Sequence, residues 1–125
     1  MRYLGIDYGT KRVGLALSDE DGKIAFPQMI LENRNNLVDK IAQFCVEKKV
    51  EQIVLGESLN YKQENNPIML EINLFKNKLL EKTGLQINLE PEWLTSALAA
   101  RSAPSSKAID DSAAALILQT YLDRL

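Results

Sequence analysis

The stretch from Tyr3 to Asp19, YLGIDYGTKRVGLALSD, constrains the fold of this chain most, because two apolar runs flank a Gly-Thr-Lys turn. This pattern predicts a β-hairpin whose first strand carries Asp7. Gly5, Gly9 and Gly14 leave room beside that carboxylate, since a residue without a Cβ lets other groups approach closely. A carboxylate on a nearly buried strand is costly unless its charge is compensated. Asp7 therefore needs a partner, and the turn amides satisfy this need as well as a functional ligand would.

The rest of the chain alternates between strand and helix patterns. Pro27 places the third strand at a sheet edge or at a bulge, and the unbroken apolar run QIVLG predicts a central strand. The full order is a hairpin, a third strand (24–31), a helix (37–49), the central strand (52–56), a helix opened by Asn66-Pro67 and stopped by Gly84, a strand (85–90), a short helix after Thr95 or Ser96, and a last helix (110–123). The strand 85–90 is expected to turn Leu85, Ile87 and Leu89 to one face, and the last helix to bury residues up to Leu125. This order predicts a single α/β domain over residues 1–125, with a mixed five-stranded sheet flanked by helices.

The composition excludes several kinds of site. The 125 residues include no histidine and one cysteine, Cys45, so a His-based triad, a His-ligated zinc site and a CxxC motif are all ruled out. The formal net charge of −2 argues mildly against a strongly basic nucleic-acid-binding surface. No basic segment followed by an apolar stretch opens the sequence, so we expect a cytoplasmic protein with no membrane span.

Three further acids fall where Asp7 is expected to lie, at the carboxyl ends of strands or at a helix start. Glu57 directly follows the central strand, Glu92 follows the strand that ends at Glu90, and Asp110 begins the last helix. Each also has an ordinary interpretation: Glu57 and Glu92 as solvated loop acids, and Asp110 as a helix cap. Glu90 competes with Glu92, because nothing local indicates which of the two points inward.

If these acids converge, their mutual repulsion has to be relieved by a cation. Oxygen ligands without His or Cys select Mg²⁺ or Mn²⁺, and two such ions about 3.5–4 Å apart are an arrangement that cleaves phosphodiesters. The basic residues best placed to hold a polyanion are Lys11, Arg12, Arg101 and Lys107, although each fits a solvated surface role equally well.

Four segments carry a resemblance that covers nearly the whole chain: GIDYGTKRVGLALSD (5–19), IVLGES (53–58), EWLTSALA (92–99) and IDDSAAALILQTYLDRL (109–125). In order and spacing they resemble the YqgF family, also called RuvX, which has a ribonuclease H-like fold and is related to RuvC-type Holliday-junction resolvases. The resemblance implies a cytoplasmic nuclease that uses divalent metal and matures the 5′ end of pre-16S ribosomal RNA. It also implies that Asp7, Glu92 and Asp110 are the acids of the site.

The chain departs from the family pattern in two places. The family segment Asp-Glu-Arg-Leu-Thr-Thr reads here as Pro91 to Ser96, so its arginine is replaced by Trp93, which could stack on an unpaired base or simply pack. The hydroxyls of Thr95 and Ser96 remain as candidates for nucleic-acid contact. After the central strand, Glu57 stands where RuvC-type resolvases carry a catalytic glutamate, and we take it as a candidate metal ligand, alone or with Glu92.

The leading interpretation is thus a metal-dependent endonuclease acting on structured RNA. Cleavage of branched DNA shares the same site, and a non-catalytic RNA-binding relative is a third reading, suggested by the acidic balance and the lost arginine. The phosphate-binding hairpin of sugar-kinase and actin-like ATPases also resembles Gly-Ile-Asp-x-Gly-Thr, but that fold needs a second such hairpin. The sequence leaves open whether the protein forms a homodimer.

Overall fold

The computed structural model describes residues 1–57, 68–91 and 106–125 of the chain, and the side chains of the last segment from residue 113 onward. Five strands form one sheet: β1 (Tyr3–Tyr8), β2 (Arg12–Ser18), β3 (Ala25–Glu32), β4 (Gln52–Glu57) and β5 (Gln86–Pro91). Three helices lie within these segments: α1 (Leu37–Glu47), α2 (Ile68–Thr83) and α3 (Ser106–Asp123). The mixed five-stranded sheet flanked by helices, predicted from the sequence, is confirmed.

The strand order is β3-β2-β1-β4-β5, with β1 in the centre. The hairpin partners β1 and β2 are antiparallel, as are β2 and β3, whereas β4 is parallel to both β1 and β5. The carboxyl ends of β1, β4 and β5 therefore meet at one edge of the sheet, which we call the carboxyl edge. Pro27 lies on the edge strand β3, next to a register shift opposite Leu15 and Ala16, as its missing amide requires.

Helices cover the two faces of the sheet differently. On one face, which we call the two-helix face, α1 and α2 pack on large side chains such as Leu4, Ile6 and Leu55. On the other face, which we call the α3 face, the single helix α3 packs on Tyr3, Ala16 and Val54. Successive strand residues point to opposite faces, so each strand contributes to both cores.

Most predicted boundaries hold to within one or two residues, and two details of the last helix were wrong. The helix begins at Ser106 rather than at Asp110, because Ser106 is itself a favourable start and Lys107 and Ala108 are good helix formers. Asp110 and Asp111 are therefore interior helix positions rather than caps. Leu125, predicted to be buried, is exposed past the helix end. Among the described helices, none is long and apolar enough to span a membrane.

Two predicted features lie outside the described residues: the Asn66-Pro67 helix start and the short helix after Thr95 or Ser96. The end of α2 matches its prediction, since Gly84 follows the helix with a φ of 69°, a left-handed conformation that glycine adopts without strain. The predicted inward stripe of β5 is also confirmed, because Leu85, Ile87 and Leu89 all pack against the core of the two-helix face.

Candidate active site at the carboxyl edge

Asp7 lies one residue before the end of the central strand β1, where it is partly exposed. Its register partner on β2 is Gly14. A methyl group placed on Gly14 would lie 3.8 Å from the Cβ of Asp7 and 3.6 Å from the Cβ of Ala114 on α3. The absent side chain of Gly14 and the small side chain of Ala114 thus leave space beside the carboxylate on the α3 face, as the sequence predicted for Gly14.

The N-terminal half of α3 lies towards the end of β1 that carries Asp7, because of the direction in which the helix runs. Tyr121, near the end of the helix, packs on Tyr3 at the start of β1, with ring centroids 5.9 Å apart. Leu118 meets Gly5, and Ala114 approaches Gly14, further along the same strands. The helix therefore runs antiparallel to β1, and its earlier turns lead towards the carboxyl edge. Asp110 precedes Ala114 by one turn of helix; its side chain lies outside the described part of the chain.

The hairpin turn after Asp7 is fixed by contacts with the end of β3. A Cβ on Gly9 would lie 2.6 Å from the backbone oxygen of Arg12, so the turn is too tight for any other residue without a shift. The side-chain amide of Asn33 donates to the Gly9 carbonyl at 2.8 Å, and its backbone N–H donates to the Lys11 carbonyl at 2.9 Å. Lys11 and Arg12 are exposed on this clamped turn. Their predicted phosphate contacts are compatible with that position.

Glu57 closes β4, and its register places it differently from Asp7. Ile6 of β1 pairs with Leu55 of β4, and both belong to the core of the two-helix face. By strand alternation Gly56 then belongs to the α3 face with Asp7, whereas Glu57 belongs to the two-helix face. The two acids reach the same edge from opposite faces, so the Glu57 carboxylate joins Asp7 only by bending around the end of its strand.

Glu90, the competitor of Glu92, is engaged elsewhere. It pairs in register with Gly56 and is buried, with only 2% of its surface exposed. Its carboxylate forms an ion pair with the guanidinium of Arg124 at the end of α3. Burial raises the pKa of Glu90, and the positive charge of Arg124 opposes that rise. Glu90 does point inward, but its charge is already compensated by an internal partner.

The remaining predicted site residues fall outside the described residues. These are Glu92, Trp93, Thr95, Ser96 and Arg101. Lys107 belongs to the first turn of α3, where the structure describes the backbone and not the side chain. Glu92 directly follows Pro91, which pairs with Glu57 at the carboxyl edge. Within residues 1–57, 68–91 and 113–125, no three acidic or cysteine side chains gather into a possible metal site. The structure thus places Asp7 and Glu57 at one edge without describing the other two acids.

Comparison with known proteins assigns the family. A sequence model of the RuvX family, described as Holliday junction resolvase, matches residues 1–124. This chain belongs to the RuvX family. A putative pre-16S rRNA nuclease of Maridesulfovibrio salexigens is 34% identical, over 99% of both chains. A relative of the same name from Streptococcus agalactiae is 33% identical, over 100% of this chain and 99% of its own.

Solved structures agree on the fold. RuvC of Thermus thermophilus, solved in complex with a Holliday junction substrate, superposes with a TM-score of 0.63 at 16% identity, covering 99% of this chain and 95% of that one. The five-stranded sheet is accordingly a ribonuclease H-like fold, as the sequence resemblance implied. Together the family and the fold identify the chain as a RuvX-family protein of the nuclease class.

The four candidate acids suit a divalent metal in the chemistry of their side chains. Asp7, partly exposed near the end of β1, would supply carboxylate oxygens, as would Glu57, Glu92 and Asp110. An all-oxygen donor set without nitrogen or sulfur favours Mg²⁺ or Mn²⁺ over zinc or copper. The donor chemistry of the candidate site therefore fits the metal that the family resemblance implies.

Proposed function

We propose that this RuvX-family protein is a metal-dependent endonuclease that hydrolyses phosphodiester bonds in structured RNA, in the cytoplasm, with precursor 16S ribosomal RNA as its substrate. The proposal rests above all on Asp7, a partly exposed carboxylate near the end of the central strand, whose register partner Gly14 has no side chain to crowd it. The names of the relatives, putative pre-16S rRNA nucleases of nearly the same length, support the choice of substrate.

Asp7, Glu92, Asp110 and Glu57 would hold two Mg²⁺ or Mn²⁺ ions. When bound, such ions supply Lewis-acid stabilisation of the charge that develops on the phosphate oxygens. The chain contains no histidine, so the proposed mechanism uses no imidazole base. Lys11 and Arg12 on the clamped hairpin turn would hold the phosphates flanking the cut. The tight turn at Gly9 keeps these two basic residues beside the end of β1.

The first test is cleavage of a precursor 16S ribosomal RNA fragment by wild type and by Asp7→Asn, with Mg²⁺ or with EDTA. Because a catalytic metal ion contributes several kcal/mol, loss of a ligand is expected to slow cleavage by about a thousandfold. Asp21→Asn is the matched control, since it removes an exposed carboxylate from the β2–β3 turn. Equal cleavage by Asp7→Asn and Asp21→Asn would contradict the proposal.

The second acid of the site is tested by Glu57→Gln and Glu92→Gln. We propose that Glu57 is a metal ligand, alone or with Glu92. Strand alternation assigns Glu57 to the two-helix face, so its carboxylate can reach Asp7 only around the end of β4. A larger loss of cleavage in Glu92→Gln than in Glu57→Gln is therefore expected. Full activity in Glu57→Gln would remove Glu57 from the site.

Cleavage of branched DNA is the second candidate function. It is favoured by the description of the family as Holliday junction resolvase and by the fold shared with RuvC. A four-way DNA junction is therefore tested in parallel with the ribosomal precursor. Cutting of the junction alone would assign the site to DNA. Cuts on two strands of the same junction would in addition indicate two active sites, as in a homodimer. Binding of either substrate without any cut would instead support the non-catalytic relative.

A further inference from the structure

A groove of about 620 Å³ lies on the two-helix face, close to the candidate active site. It is bounded by the end of β1, the connection from β3 to α1, and the outer side of α2. None of the residues that line it was a candidate in the sequence, because they come from three segments that only the fold brings together. Its volume lies within the range of about 300–1,000 Å³ that is usual for small-molecule sites.

The floor and one wall of the groove are apolar. Tyr8, partly exposed, stacks at a tilt on Phe75 of α2, with ring centroids 4.8 Å apart and an interplanar angle of 36°. Leu74, the neighbour of Phe75 in the chain, lines the groove with 62% of its surface exposed. An aromatic ring beside an exposed leucine offers a flat apolar surface, which is the kind of surface on which nucleobases stack.

The rim of the groove is polar and carries both signs of charge. Arg34, Lys78 and Lys82 line it together with Glu71 and Glu81. Arg34 pairs with Glu32, and Lys82 pairs with Asp39.

Among the ion pairs within the described residues, none involves Lys78, so this ammonium is available for an external anion. The side chains of Asn33 and Asn35 add amide groups at the same rim. Amides of this kind can hydrogen-bond to base edges.

The groove opens at the strand end that carries Asp7. Tyr8 directly follows Asp7, so the two side chains leave the same strand end towards opposite faces. Asn33, which lines the groove, is also the residue that clamps the hairpin turn through Gly9. A polynucleotide that crosses the carboxyl edge with one phosphate at Asp7 therefore brings a neighbouring nucleotide to the mouth of the groove.

We propose that this groove receives an unpaired nucleotide of the substrate, adjacent to the bond that is cut. Its base lies against Tyr8 and Leu74, and Lys78 binds its phosphate. A base within a duplex cannot enter, because its faces are covered by stacked neighbours and its edge by its pairing partner. The groove thus selects a single-stranded or frayed segment beside the cleavage site. This inference rests on the proposed nuclease function and specifies which part of the substrate is recognised.

The test compares Leu74→Glu with Leu70→Glu. Both leucines are exposed on α2 one turn apart, but only Leu74 lines the groove, so the two variants match in charge and lost apolar surface. The probes are a short fluorescein-labelled single-stranded RNA, single-stranded DNA of the same sequence, and the blunt RNA duplex. Binding is measured by fluorescence anisotropy in EDTA and low salt, where metal-dependent cleavage is suppressed.

We expect Leu74→Glu to bind the single-stranded RNA about tenfold more weakly than Leu70→Glu, since one stacked base contributes about 1–3 kcal/mol. The two variants should bind the duplex equally. Equal affinity of both variants for the single strand overturns the inference. The inference is also overturned if Leu74→Glu loses as much affinity for the duplex as for the single strand, or if wild type does not bind the single strand. The DNA arm shows whether the groove accepts ribose only or either sugar.

Lys78→Glu provides a second comparison, with Lys48→Glu as control, because Lys48 is exposed before β4 at the opposite edge of the sheet. Weaker single-strand binding in Lys78→Glu alone supports the groove. Cleavage assays with Mg²⁺ separate the two proposals. If wild type cuts RNA and the paired variants bind alike, the nuclease stands and the groove inference fails. If binding depends on Leu74 and nothing is cut, the nucleotide site stands and the nuclease fails.

Discussion

The two faces of the sheet differ in the size of the side chains that pack against the helices. The two-helix face is packed with large aliphatic side chains, among them Leu4, Ile6 and Leu55, all fully buried. The α3 face is built from small residues where the helix crosses: Gly5, Gly14 and Ala16 on the strands and Ala114 on the helix. The two-helix face is therefore stabilised by the burial of large aliphatic side chains, and the α3 face by the close approach of the helix to the strands.

This difference explains why the candidate catalytic acid lies on the α3 face. Small residues let the helix backbone come close to the sheet, so that a Cβ on Gly5 would lie only 3.0 Å from the carbonyl oxygen of Ala114. A helix held so near brings its backbone close to the strand that carries Asp7, and Gly14 places no side chain between that strand and the helix. On the bulky face, the groove lined by Tyr8 and Leu74 lies at the edge of the sheet.

The largest expected effect comes from removing volume on the two-helix face. Leu55→Ala, at a fully buried position, is expected to lower the free energy of unfolding by about 3 kcal/mol, because it leaves a cavity in a close-packed core. Urea denaturation measures the change. Leu70→Ala, at an exposed leucine, should stay within about 0.5 kcal/mol of wild type. A small loss in Leu55→Ala would mean that this face is loosely packed.

Adding volume on the α3 face should be the next most damaging change. A methyl group on Gly5 would lie 2.7 Å from the Cβ of Leu118, which is closer than real contacts allow. We expect Gly5→Ala to lower the free energy of unfolding by about 2 kcal/mol, because α3 must move outward. Denaturation of Gly5→Ala in the wild-type background and in a Leu118→Gly background, which lacks the clashing Cβ, provides the measurement. Gly5→Ala should cost less stability in the Leu118→Gly background, and an equal cost in both backgrounds would show that α3 is not held by this contact.

A smaller effect is expected at Glu90 and Arg124, and it should depend on pH. The pKa of Glu90 is raised in the folded state, so the folded state holds this proton more tightly than the unfolded state does. Its contribution to stability is therefore greatest at low pH and falls as pH rises through the titration of Glu90. Arg124→Met removes the positive charge that limits this loss, so it should destabilise the protein by about 1–2 kcal/mol at pH 7.

The difference between Arg124→Met and wild type should shrink as the pH falls and Glu90 becomes protonated. Urea denaturation at pH 7 and near the ordinary glutamate pKa of about 4.3 tests this. Arg34→Met is the control, since the Arg34–Glu32 pair is exposed on both sides and should contribute less than about 1 kcal/mol. A difference that is constant with pH would show that Arg124 acts through packing alone.

The contrast between the two faces also shows what the sequence could predict. Local patterns identified the hairpin, the edge position of Pro27 and the stop at Gly84, because each depends on residues close together in the chain. The face of Glu57 could not be predicted, since the apolar run QIVLG lacks alternation and leaves its register open. Only the pairing of Ile6 with Leu55 assigns it.

Long-range partners escaped prediction for the same reason. Glu90 and Glu92 look alike in the sequence, and what distinguishes Glu90 is Arg124, 34 residues further along the chain. The groove on the two-helix face is likewise lined by residues of β1, of the segment around Asn33 and of α2, which are far apart in the chain. The acids of the proposed site followed from strand ends and the family resemblance, whereas the groove required the assembled fold.

The smallest change in stability is expected where the α3 face adjoins the proposed site. At Gly14 a methyl group would make only ordinary contacts, 3.6 Å from Ala114 and 3.8 Å from Asp7. Gly14→Ala should therefore stay within about 1 kcal/mol of wild type, partly because alanine loses less backbone entropy than glycine on folding. RNA cleavage by the same variant should nevertheless fall about tenfold or more, since the methyl group would fill the gap beside Asp7 and crowd a substrate that must be held in a defined geometry. Stability and cleavage that both match wild type would show that the space beside Asp7 is not used in catalysis, whereas a large loss of stability would show that α3 approaches Gly14 as closely as it approaches Gly5.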